Sequence, residues 1–91
     1  MTTFLLQFAY DRRDLRPTFR DPHIEYIANL HKQGKVVMGG PFTDATGGVI
    51  IFRAPDEAAA WQLVHADPYV IENVIGDLRL REWSVTVPSD E

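Results

Sequence analysis

The sequence predicts an α+β fold of ferredoxin-like βαββαβ order, an antiparallel four-stranded sheet with two helices on one face. Three observations carry this expectation. Strand-like and helix-like runs alternate as strand, helix, strand, strand, helix, strand. Each helical run lies between capping and stop residues. Two strand-like runs are apolar on both faces, unlike a sheet with one wet face. A second apolar face needs a cover, so two copies are expected to pack sheet to sheet as a homodimer.

The first strand covers residues 3–10, where Phe4, Leu6, Phe8 and Tyr10 alternate on one face and Leu5, Gln7 and Ala9 on the other. A polar connector containing Pro17 follows. Asp21 is a capping type, Pro22 suits a first helical position, and Gly34 suits a stop after Lys32. Between them Ile24, Ile27, Ala28 and His31 recur at helical spacing. At about 100° per residue, His23 falls near Ile27 and Leu30, on the shoulder of that stripe.

Val36-Val37-Met38 is a short strand ended by Gly39-Gly40-Pro41, because proline cannot donate to a ladder. After a loop over Thr43–Thr46, Gly47-Gly48 leads into the two-sided apolar run Val49–Phe52. Asp56 should cap the second helix, with Ala60, Leu63 and Val64 facing inward and Asp67-Pro68 acting as a stop. The last strand is expected from about Asp77 to Val87. Its apolar parity flips near Arg81-Glu82, from a β-bulge or from an outer half that leaves to meet a partner. Residues 1–88 read as one domain and residues 89–91 as a frayed tail.

The chain has 91 residues, 45% hydrophobic and 24% charged, enough for a single core. Without cysteine it offers no disulfide and no thiolate metal site. A net charge of −4, with arginines interleaved among acids, argues against nucleic acid. No apolar run reaches membrane-spanning length, and the first ten residues lack the basic region of a signal peptide. A cytoplasmic location is expected.

The residues with chemistry to offer are His23, at the expected helix start, and Asp44, just past a strand end where side chains reach clefts. Imidazole suits proton transfer near neutral pH, and a carboxylate would hold one tautomer. No motif positions a serine or cysteine nucleophile, which favours proton abstraction or elimination over acyl transfer. The same two residues also suit a structural pair, with Asp44 capping its own loop. Gly40 and Pro41 mark the loop where a substrate can approach the backbone, and Tyr69 is placed to line a cleft. His31, in the inward stripe, suits the core or an interface, and His65 suits a helix C-terminus. The histidines match no metal-ligand spacing and Gly47-Gly48 no phosphate loop, so no metal and no cofactor are expected.

Pro22-His23-Ile24, Leu30, Gly34, Gly40-Pro41, Asp44 and Gly47-Gly48 stand in a recognisable order, followed by Ala58-Ala59-Ala60-Trp61, Asp67-Pro68-Tyr69-Val70 and the closing strand through Trp83. In that order they resemble the YCII-related family of small dimeric α+β barrel proteins, over nearly the whole chain. The resemblance implies dimerisation through the sheet and a His–Asp active-site pair in a cleft, here His23 and Asp44. Elimination, dehydrochlorination or isomerisation of a small organic molecule is what it implies for chemistry. The alternative is a non-catalytic module of the same fold that binds a small molecule or supports a partner protein.

Overall fold

The computed structural model describes residues 1–88; the expected frayed tail, 89–91, lies outside them. The chain runs β1 (Thr2–Tyr10), a 3₁₀ turn (Arg13–Leu15), α1 (Arg16–Lys32), β2 (Val36–Pro41), β3 (Gly47–Ala54), α2 (Glu57–His65), the single turn α3 (Pro68–Ile71) and β4 (Ile75–Glu82). The strands form one sheet in the order β2-β3-β1-β4, every neighbouring pair antiparallel. This is the expected ferredoxin-like α+β arrangement.

Period-two alternation decides which face of the sheet is covered. Phe4, Leu6 and Phe8 of β1 are buried with Ile50 and Phe52 of β3, and Leu30, Ala60 and Val64 of the helices close over them. Burying one such large side chain contributes about 1.5–3 kcal/mol. Gly47 and Gly48 let three strands close up: a Cβ on Gly47 would meet the Phe8 carbonyl, and one on Gly48 the Gly40 carbonyl. The opposite face is partly open. Leu5 and Val49 are half-buried there, Ile51 is buried, and Met38 is 66% exposed.

Two boundaries differ from expectation. Helix α1 begins at Arg16, not after Asp21, so Pro22 lies inside it and His23 is well past the first turn. Pro17 occupies the first turn, where its missing N–H costs nothing. An interior proline costs about 3 kcal/mol in a bare helix. Tertiary contacts hold the chain on both sides of Pro22. Phe19 packs against the core, the Arg16 carbonyl accepts from the Tyr69 hydroxyl at 3.4 Å, and His23 is tied to the turn before α3.

Strand β4 starts at Ile75 and stops at Glu82, short of Val87. Its irregularity lies earlier than Arg81-Glu82. Gln7 faces Arg79 and Ala9 faces Gly76, so β4 carries one extra residue there, and Asp77 takes a positive φ of 48°. The parity change at Arg81-Glu82 marks the strand's end, although the Trp83 N–H still donates to the Thr3 carbonyl at 2.8 Å.

Candidate functional site

The site grows from the short link between α2 and α3. Asp67 sits in extended backbone and caps α3, its Oδ1 accepting from the Tyr69 N–H at 2.9 Å. Pro68 follows at the first helical position, where a preset φ and an absent N–H suit a cap. The Asp67 carboxylate is 2% exposed and therefore needs partners. The Tyr69 N–H is one. His23, reaching across from α1, is the other, with Nδ1 at 2.8 Å from Oδ1 and 3.0 Å from Oδ2.

A carboxylate has no proton to give, so this network assigns the hydrogen to Nδ1, which donates to Asp67. The Tyr69 ring lies flat on the imidazole, centroids 3.9 Å apart and planes 4° from parallel. One edge and one face of His23 are thus fixed. No hydrogen bond engages Nε2 among the described residues, and the side chain is 15% exposed.

His23 opens onto a cavity of about 470 Å³ between α1 and the edge strand β2, a size that suits a small organic ligand. Phe8, Ile24, Ile27 and Ile50 supply apolar wall. Gly40, Pro41 and Tyr69 line it. His31 lines it too and is not buried in the core; its Nδ1–H donates to the Val36 carbonyl at 2.9 Å. Burial raises the Tyr69 phenol above its ordinary range. Burial and, second, the negative charge of Asp67 do the same to Tyr26, which donates to the Leu63 carbonyl at 2.7 Å. Both stay neutral phenols near pH 7.

The expected pairing of His23 with Asp44 is not formed. Asp44 sits in the β2–β3 loop, where its Oδ1 accepts from the Thr46 hydroxyl at 2.7 Å and the Thr46 N–H at 3.1 Å. Those bonds, the hydroxyl first, hold its carboxyl below the usual carboxylate range. The physical reason is local: a carboxylate two residues before an available N–H and O–H closes a turn on itself. Asp44 is exposed and does not line the cavity. Asp44→Asn should leave the ring resonances of His23 unchanged in NMR spectra. A changed His23 ring would contradict this geometry.

Asp67 is the residue that sequence reasoning missed. In the sequence it reads as the stop of α2, yet an Asp directly before a Pro is also an N-cap signature. That signal locates α3. It does not bring His23, 44 residues away, to the same carboxylate.

Fold and site together define a small ferredoxin-like α+β protein in which a histidine, held from behind by a buried aspartate, lines a cavity beside an edge strand. The chain belongs to the YCII-related domain family, matching it over residues 3–84. It is 35% identical over 63 residues to the uncharacterized protein YjpA of Bacillus subtilis (strain 168), covering 69% of this chain and 73% of that one. Among solved structures it is similar to 5-chloro-2-hydroxyhydroquinone dehydrochlorinase (TftG) from Burkholderia phenoliruptrix AC1100, in complex with 2,5-dihydroxybenzoquinone. That match has a TM-score of 0.78 at 20% identity and covers 90% of this chain and 93% of the other. At that identity the likeness is one of fold.

Proposed function

We propose that this protein is a cytoplasmic homodimeric enzyme that carries out acid/base chemistry, of elimination, dehydrochlorination or isomerisation type, on a small organic molecule. One observation carries the reading. An imidazole with Nδ1 bound to a buried carboxylate keeps Nε2 free at a cavity of ligand size. Nε2 takes a proton from carbon, and Asp67 stabilises the imidazolium that forms. In an elimination the C–H electron pair becomes the new double bond as the leaving group departs on the adjacent carbon. In an isomerisation the imidazolium, after exchange with solvent, returns a proton at a different carbon. Asp67 replaces Asp44 as the orienting partner of His23, and Gly40, Pro41 and Tyr69 stay on the substrate side.

Chlorinated hydroxyaromatics are the first compounds to assay, given the activity named for the structural neighbour. Chloride release reports elimination, and uptake of solvent deuterium at carbon reports isomerisation. Turnover by the parent protein and its loss in His23→Asn are expected. Full activity in His23→Asn would contradict the reading.

The homodimer rests on the open sheet face, which carries Leu5, Val49 and Ile51, and where the exposed Met38 and Trp83 line one hollow with Ile51. Sedimentation at micromolar concentration should give about twice the 10.4 kDa chain mass. A monomeric mass would contradict the dimer.

A further inference from the structure

The protein is acidic, with a net charge of −4, yet no Asp or Glu lines the cavity. Its charged and titratable lining is Arg16, Arg20, His23, His31, Tyr10 and Tyr69. Arg16, Arg20, His23, Ile24, Ile27 and His31 are spaced so that one stripe of α1 presents them all. Arg16 lies over the Tyr10 ring, its guanidinium carbon 4.5 Å from the centroid, and has no carboxylate partner among the described residues. Arg20 reaches only Asp21, at 3.9 Å, and Asp21 is 96% exposed. That is a weak claim on its charge. The Asp67 carboxylate is already engaged by His23 and the Tyr69 N–H.

We infer that the cavity takes a small organic acid, with its planar anionic oxygens on Arg16 and Arg20 and its apolar body against the isoleucines beside His23. The inference rests on reading this cavity as a substrate site and specifies the class of substrate. Guanidinium is the side chain whose fork matches a carboxylate or a delocalised enolate. Stacking on Tyr10 holds Arg16 without neutralising it. Two cations without a buried carboxylate partner, four residues apart on α1 in a cavity that also has an apolar wall, favour an anion with an apolar body over a neutral ligand or a bare anion. An anion held there leaves the carbon next to it facing His23, where negative charge developing on proton removal is stabilised by the same arginines.

The test compares benzoate, benzamide and inorganic phosphate as probes of the full chain, by NMR titration and calorimetry. Benzoate should shift resonances of cavity residues and bind at least tenfold more tightly than benzamide, an advantage that shrinks as salt is raised. Phosphate should compete poorly. Arg16→Gln and Arg20→Gln should each remove most of the preference for benzoate, and Arg16→Lys should restore part of it. Equal binding of benzoate and benzamide, phosphate binding as tight as benzoate, unchanged preference in both glutamine variants, or no cavity shifts at millimolar benzoate would each overturn the inference. Failure here is distinct from failure of the proposed chemistry. Benzoate binding is expected to survive in His23→Asn, whereas turnover is not.

Discussion

Asp67→Ala should destabilise the protein by about 2–4 kcal/mol, because one carboxylate serves two structural bonds. It caps α3 through the Tyr69 N–H, a contact whose loss costs about 1 kcal/mol. It also accepts from His23, a charge-assisted bond of about 1.5–3 kcal/mol, in a site where the carboxylate is nearly dry. Removing it frees α1 from the α2–α3 link at the turn that follows Pro22. Against a total of about 5–15 kcal/mol for a native domain, that is a large share. Chemical denaturation followed by circular dichroism measures it. Asp67→Asn should lose less, because an amide oxygen still caps α3. A loss below about 0.5 kcal/mol in Asp67→Ala would mean that the pair does not hold these elements together.

The second large effect is on rate. Once a substrate is found, His23→Asn should lower kcat by about 10²–10⁴, the usual worth of a positioned general acid or base. KM should change little, because Arg16, Arg20 and the apolar wall remain in place. The two predictions separate the roles of the pair. Asp67→Asn should reduce kcat as well, since an amide can donate to Nδ1 and thereby favour the tautomer that carries its proton on Nε2. A His23→Asn variant that loses binding but keeps kcat would make the imidazole a ligand contact rather than the proton-transfer group.

The fold was legible because its signals are local. Alternation placed Phe4, Leu6 and Phe8 on the covered face, and Asp56 capped α2 through the Ala59 N–H at 2.8 Å as its position predicted. The start of α1 was misread because two prolines competed for the role of first-turn residue. Pro22 follows a capping-type Asp21, but the chain has a second solution in Pro17, favoured by burial of Phe19 and the bond from Tyr69 to the Arg16 carbonyl. Both are tertiary, and no local pattern reports them.

The geometry of the candidate site was legible only in part. His23 was recognised on the shoulder of a helical stripe, and Gly40, Pro41 and Tyr69 do line the cavity beside it. The carboxylate was assigned to Asp44 because it follows a strand end, yet that loop satisfies Asp44 internally through Thr46. Asp67 was legible as a stop and as a cap but not as a partner for His23. Its second bond depends on α3 packing against α1, a long-range result of the fold.

The most direct measurement is the ring ¹⁵N NMR spectrum of His23 in its neutral form, compared across the parent protein, Asp67→Asn and Asp44→Asn. The geometry predicts a proton on Nδ1 and a free lone pair on Nε2 in the parent, the same in Asp44→Asn, and a changed tautomer population in Asp67→Asn. A proton on Nε2 in the parent protein, or a tautomer that responds to Asp44 and not to Asp67, would contradict the central claim that a buried carboxylate aims His23 into the cavity.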